Sequence, residues 1–396
     1  MLYKNKQKDI ISFFIRHPNY FITLISLNYP FSQYQLKLYK IFLDWDKISY
    51  NENITWSIDI LNEFSKFICW DLFTINKSAF VNKDLLVAFE DRIDWYGHDN
   101  YSGDSIVANE GIYWDNETIN KYADKININK LSLSTTVEWS EALLDKYIDK
   151  WDFIELAQNK SIQWSLHMFE KYLDESYFDH FFVETNEKLI SFELVEKYHQ
   201  FMNWHSISLI PTLPWIEKDL LNYWKDKIEW TGIACNTFLF SNDKNFYQKN
   251  YNKWQKFENK AFGFFSGNES FPWSKQMIET FKHDIDWNLL CSNEGIVWDI
   301  DLIDSFSKYV KWGGWEPSAL YDENGDVISP VGGGKADIGL LMNESIPWSI
   351  DFLIRYENEI EDDMEFDGLL NNSAIWDKAF KPYMNEEMIK KIIRLL

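Results

Sequence analysis

Cysteine is scarce in this chain: three occur in 396 residues, Cys69, Cys235 and Cys291. They stand far apart and form no C-x-x-C pair, which argues against a disulfide framework and a zinc site and fits a reducing compartment. No segment reaches the roughly 18 uncharged apolar residues of a membrane span. Arg16 and Pro18 interrupt the amino-terminal stretch before it attains a secretory apolar region. A cytoplasmic location without membrane attachment is expected. Positive charge is in deficit too, with 39 Lys and Arg against 62 Asp and Glu and a net charge of -23. That balance repels nucleic-acid backbones and favours a basic protein as partner.

Catalytic signatures are also missing. The seven histidines, at 17, 98, 167, 180, 199, 205 and 283, form no H-E-x-x-H pair, and no Gly-x-Ser-x-Gly occurs. His98, Asp99 and Asp104 match no metal-ligand spacing. Asp322, Asn324 and Asp326 resemble the start of a calcium loop, but Gly325 stands at its fourth place instead of its sixth and no Glu closes it. Gly332 to Ala336 resembles a phosphate loop without the Ser or Thr after Lys335. The expectation is a protein that is not an enzyme, with no cofactor and no metal.

What is abundant is aromatic residues, 18 % of the chain, within a hydrophobic fraction of 46 %. That is ample for a continuous core. Many of them keep a register. A large apolar residue followed by Ser, Asp or Asn recurs about every 25 residues, at Phe31, Trp56, Val81, Trp114, Trp139, Trp164, Ile190, Trp215, Phe240, Trp273, Trp298, Trp348 and Trp376. Ile216 is the one departure at the second place.

With the register residue as position 0, apolar residues at 0, 4, 5, 8 and 12 have helical spacing and form one buried stripe. The Ser, Asp or Asn at position 1 is a helix N-cap, because its short side-chain oxygen accepts the free amides of the first turn. The spacing predicts a helix A of about ten residues. A second aromatic near position 14, as at Trp45, Trp70, Trp95, Trp204, Trp254, Trp287 and Trp312, predicts a short helix B or a single turn. Asn precedes the next register residue by five at Asn51, Asn76, Asn109, Asn159, Asn268, Asn293, Asn343 and Asn371. Its tolerance of the left-handed conformation suggests a helix-closing role.

The resulting expectation is an all-α, right-handed solenoid of about thirteen tandem units. A leucine-rich horseshoe shares the period and the L-x-x-N, but most units lack the L-x-L strand. The organisation reads as one continuous solenoid over 1–396: an amino-terminal cap over 1–30, repeats over 31–312, an inserted loop over 313–342, and last repeats with a carboxy-terminal cap over 343–396. A β-hairpin-like insertion is expected near 319–330, with Asn324-Gly325 in its turn.

The register tryptophans are expected in the core, since they share a stripe with Leu and Ile. Candidate binding residues therefore come from places where the period breaks. Three insertions lie between the second aromatic and the Asn. The first contains Tyr101; the second contains Phe262, Phe264 and Phe265, expected either to pack back or to form an exposed patch; the third contains Trp315, Tyr321, Asp322, Asn324, Asp326 and Lys335. Trp224 and Trp315 are off register and are candidate interface anchors. The function expected is a protein-binding repeat scaffold that holds a basic or mixed-charge protein in its groove and along the loop-bearing edge. The alternative is an acidic inhibitor, an immunity or anti-defence protein that blocks the positively charged cleft of a nuclease or nucleic-acid-binding protein.

Overall fold

Short polar side chains start most of the helices. Ser57, Asp115, Ser140, Ser165, Ser191, Ser274, Asp299 and Ser349 each accept the backbone amide three residues on, and a helix of six or seven residues follows each. Ser32 makes a full capping box, its hydroxyl meeting the Gln35 amide while the Gln35 side chain accepts the Ser32 amide. The computed structural model describes residues 2–81, 83–96, 105–173, 183, 186–255, 261–313, 319–321, 327–330, 339–364 and 368–396, and these are mostly helical. Ala319–Tyr321 and Val327–Pro330 pair antiparallel, with Ala319 opposite Pro330; the turn residues 322–326 lie outside the described residues.

Helix A is shorter than the ten residues that the spacing predicts. It ends at position 8, where one carbonyl takes two amides: Phe64 from Phe67 and Ile68, Tyr122 from Lys125 and Ile126, Phe306 from Tyr309 and Val310. This double acceptance tightens the last turn and carries position 12 back to the core. Trp56, Ile60, Leu61, Phe64 and Ile68 are all buried, as the stripe requires. Helix B then starts at the second aromatic. Asp44, Asp152 and Asp286 each accept two amides of its first turn.

Two register pairs that carry a capping residue do not cap. Ser241 lies inside the helix Thr237–Asn242, and Asp377 lies inside the wide turn Trp376–Phe380. In both places a buried Asn starts the helix instead, Asn236 through the Leu239 amide and Asn372 through the Ala374 amide. Asn82 falls outside the described residues.

The recurring asparagine does not adopt the left-handed conformation. Asn51, Asn159, Asn293 and Asn343 are extended, with φ of -69°, -77°, -72° and -79°. Its side chain crosses to the preceding sequence unit. Asn76 Nδ2 donates to the carbonyls of Ser49 (2.9 Å) and Asn51 (3.2 Å). Asn109 donates to Thr74 and Asn76, Asn159 to Ser132 and Ser134, Asn236 to Ser208 and Ile210, and Asn343 to Cys291 and Asn293. Asn186 and Asn372 join the series, the latter one residue after the expected Asn371. The left-handed reading fails because the Asn side chain is used across units: its amide reaches carbonyls of the preceding unit, several of which also accept a local amide or a Trp indole N–H.

A second series runs beside it. Ser49, Thr74 and Ser266, two residues before a ladder Asn, donate their hydroxyls back along their own helices to Trp45, Trp70 and Phe262. Each also accepts a backbone amide from the next unit, that of Cys69, Asp94 or Asp286. Ser26, Ser132 and Ser208 accept in the same way from Asp44, Asp152 and Glu229. One strand-like contact occurs between units, a parallel bridge from Trp114 to Val137.

The chain divides into two bodies. One is Phe21–Ser206, with ladder residues Asn51, Asn76, Asn109, Asn159 and Asn186. The other combines Met1–Tyr20 with Ile207–Leu396. Within that second body the helix Leu2–Arg16 packs on the helices Ile350–Arg355 and Glu386–Ile393, and Phe14 meets Phe380 at 4.9 Å between ring centroids.

Candidate interaction surface

Most of the periodic aromatic residues are used up in packing. Trp56, Trp114, Trp164, Trp215, Trp298 and Trp348 are buried. In several units the second aromatic packs on the end of the following helix A: Trp45 on Phe64 (5.1 Å), Trp70 on Phe89 (5.4 Å), Trp95 on Tyr122 (4.7 Å) and Trp287 on Phe306 (5.6 Å). Phe67 also packs on Trp45, Arg92 on Trp70 and Lys125 on Trp95. Rings engaged in this way serve packing within the fold, although Trp45 and Trp70 stay half-buried.

The charged surface is organised by a basic residue followed by Tyr at the end of helix A. Lys171 and Tyr172 both hold Asp145, Lys197 and Tyr198 both hold Glu170, and Arg355 and Tyr356 both hold Asp304. Each carboxylate belongs to the preceding unit. Bonds from Lys171 to Asp145, from Lys197 to Glu170 and from Tyr356 to Asp304 hold these acids below the usual carboxylate range. Burial, with the Asp304 carboxylate beside it, pushes the Tyr356 phenol up to about 12. These contacts pin neighbouring units and neutralise one another, so they offer little to a partner.

The candidate binding residues divide into three groups. Trp224 is a correction: at 2 % exposure it is core and cannot anchor a partner. Ile216 supplies no capping oxygen, and Asp219 takes a left-handed conformation at φ 46° to begin the next helix. That slip moves the buried aromatic from position 8 to Trp224, whose carbonyl accepts Lys227 and Ile228 as other position 8 residues do, and leaves Tyr223 exposed. Phe262 and Phe265 are likewise buried, stacked on Phe281 (3.5 Å) and Phe271 (4.4 Å), so they are not surface contacts; Phe264 is half-buried. The helix Ala261–Ser266 brings Ser266 into the hydroxyl series, so the second insertion packs back. Tyr101, Trp315, Asp322, Asn324, Asp326 and Lys335 lie outside the described residues, and of Tyr321 the backbone strand alone is described.

Three surface features remain. On the helix Gln33–Tyr39 and the turn after it, Tyr34, Leu38, Ile41 and Phe42 lie on an exposed face, with Ile41 at 81 %. An open groove of about 440 Å³ lies beside the first insertion, lined by Tyr96, Ala123, Ile126, Ile128, Asn129 and Lys150. The third feature is acidic. Glu269, Glu294 and Glu344 each follow a ladder Asn and are exposed, and their carboxylates form no ion pair with Lys or Arg among the described residues, although the Lys378 ammonium donates to the Glu344 carbonyl (2.7 Å) and the Ser373 hydroxyl to the Glu344 carboxylate (3.1 Å). The ladder bonds Asn293 to Ser266 and Asn343 to Cys291 and Asn293 stack their turns, and the Glu294 carboxylate accepts the Glu344 backbone amide at 3.2 Å. The Asn-Glu dipeptide is the sequence signal for this row, and reading Asn as a helix terminator concealed it.

Among the described residues no group of three or more His, Cys, Asp or Glu is placed to hold a metal ion, and no single helix is long and apolar enough to cross a membrane. Comparison with known protein families, with curated proteins and with solved structures finds no match.

Proposed function

We propose that the chain is a non-enzymatic protein-binding scaffold, a solenoid of about thirteen tandem units whose groove and loop-bearing edge hold a basic or mixed-charge protein. The observation that carries this reading is the row Glu269, Glu294 and Glu344. Like charges stacked on adjacent turns repel one another, a penalty that Lys and Arg side chains of a partner relieve. The periodic Trp, Asn and Ser residues are occupied by packing, so recognition falls to what varies between units. Net charge of -23 adds long-range attraction for a basic partner.

The test is capture of partners from native lysate with wild type and with the variant Glu269→Gln/Glu294→Gln/Glu344→Gln. A stoichiometric basic protein, retained at low salt, lost at high salt and weakened by the triple variant at unchanged melting temperature, supports the reading. Capture indifferent to both salt and the three substitutions would overturn it.

A further inference from the structure

The helix Leu2–Arg16 and the surface beneath it have opposite charge. In sequence the helix carries Lys4, Lys6, Lys8 and Arg16 against Asp9. Its buried face is Ile10, Ile11, Phe13 and Phe14, at helical spacing. That face lies on the helices Ile350–Arg355 and Glu386–Ile393, with Phe380 against both Phe13 and Phe14 and with Ile389 and Ile392 buried. Acid groups grip it at both ends. Lys6 pairs with Asp351, and Arg16 forks onto the two oxygens of Glu357 at 2.7 and 2.8 Å, where His17 also reaches Oε1 at 2.6 Å. Lys6 and Arg16 are ten residues apart, about 15 Å along a helix.

This is a helix-in-groove arrangement with an apolar floor and two acidic clamps, filled from within the chain. We propose that the groove is a docking site for a basic amphipathic helix of a protein partner, and that Leu2–Arg16 occupies it as a tethered stand-in. The proposal rests on the reading that the partner is basic, and it adds where that partner binds and what holds it off. The occupant it specifies has a cation, apolar pairs four to five and seven to eight residues on, and a second cation at the tenth, the pattern of Lys6, Ile10, Ile11, Phe13, Phe14 and Arg16. A tethered helix competes at an effective concentration on the order of millimolar. Only a partner that matches both clamps and the apolar face displaces it, so the helix sets the threshold for binding.

The experiment uses the full chain with a protease site inserted between His17 and Pro18. The probe is a fluorescein-labelled peptide of residues 2–17, read by anisotropy. Uncut protein should leave the probe free at ~10 µM. Cut protein washed free of its own helix should bind it, an unrelated basic peptide with the same cation and apolar spacing should compete, and Asp351→Asn/Glu357→Gln should weaken binding about tenfold or more. Uncut Phe14→Asp, which dislodges the helix without cleavage, should also bind the probe. Hydrogen exchange over residues 350–393 distinguishes the other outcomes. Loss of protection there after cutting makes the helix a structural element and overturns the proposal. Retained protection with no probe binding, or binding that the patterned peptide cannot compete, overturns it as well. Either failure leaves the acidic-row reading intact if the Glu269, Glu294 and Glu344 variant still loses its captured partner.

Discussion

Asn76 allows the ladder to be tested at one side chain. It is fully buried and makes four bonds: Nδ2 to the Ser49 and Asn51 carbonyls, and Oδ1 from the amide and the hydroxyl of Ser78. Asn76→Ala strands the buried Ser49 carbonyl, leaves the Asn51 carbonyl with the Trp56 indole N–H as its donor, and frees the Ser78 amide, which is part-buried and can find water. An unsatisfied buried polar group costs about 1 to 3 kcal/mol, so with one carbonyl stranded the expected loss is about 1 to 3 kcal/mol. Asn76→Asp keeps the shape and the acceptor but replaces the donor with a charge facing two carbonyls, and should be at least as damaging. For scale, removing the cap at Ser57 should cost only about 1 kcal/mol. Local segments of a fold can open separately. The assay is therefore hydrogen exchange of peptides spanning residues 45–80, alongside urea melts followed by tryptophan fluorescence. If Asn76→Ala costs less than about 1 kcal/mol, or if Asn76→Asp is neutral, the cross-unit bonds do not support the junction and the argument fails.

Three further predictions concern close packing, thiol chemistry and pH. A Cβ on Gly295 would lie 2.1 Å from the Glu269 carbonyl oxygen, whereas one on Gly263 meets nothing nearer than 3.9 Å; Gly295→Ala should therefore lower the melting temperature while Gly263→Ala, inside a helix, leaves it equal or higher. Cys291 is buried, and burial pushes its thiol up to about 12; at pH 8 an alkylating reagent should modify it only on unfolding, after the half-buried Cys69 and Cys235. Hydrogen bonding to Arg16 lowers the Glu357 pKa. Its contribution is therefore fully present above the unfolded carboxylate value of about 4.3 and lost as pH falls through the lower folded value. Acid should loosen exchange over residues 2–16 in wild type, and Glu357→Gln should reduce that pH dependence, with the Lys6–Asp351 pair still in place.

The elements that local chemistry determines were readable from the chain. A Ser or Asp after a large apolar residue caps a helix in most units, as Ser57, Ser140 and Ser349 do, and fails where a buried Asn starts the helix earlier, at Ser241 and Asp377. Burial of Trp56 and Trp298 followed from a stripe shared with Leu and Ile. The asparagine was not readable in the same way, because its partners lie about 25 residues back and a recurrence cannot distinguish a residue that turns the chain from one that reaches across it. Helix length failed for a related reason: the apolar spacing continues through the turn at positions 9 to 12, so periodicity gives no sign that the axis has changed. Trp224 was misplaced because one left-handed residue, Asp219, shifts the register by a single position. The acidic row was visible as Asn-Glu, but its alignment depends on bonds between units.

The three series divide the work of holding neighbouring units together. Aromatic packing such as Trp70 on Phe89 supplies attraction, but an apolar contact tolerates small displacements along the interface. The Asn amide does not, because its two hydrogens are aimed at two carbonyls of the preceding unit, and a shift of one residue would bury the amide unpaired. The hydroxyl two residues earlier fixes the same junction from the opposite direction: Ser49 accepts the Cys69 amide while Asn76 donates to the Ser49 carbonyl. One residue is thus held by side chain and backbone from the next unit, and both bonds fail together if the units slip. Polar residues buried in this way add less attraction than the rings do and more specificity of alignment. That alignment brings Glu269, Glu294 and Glu344 into a row, so removing a ladder Asn should scatter the acidic row as well as weaken the fold.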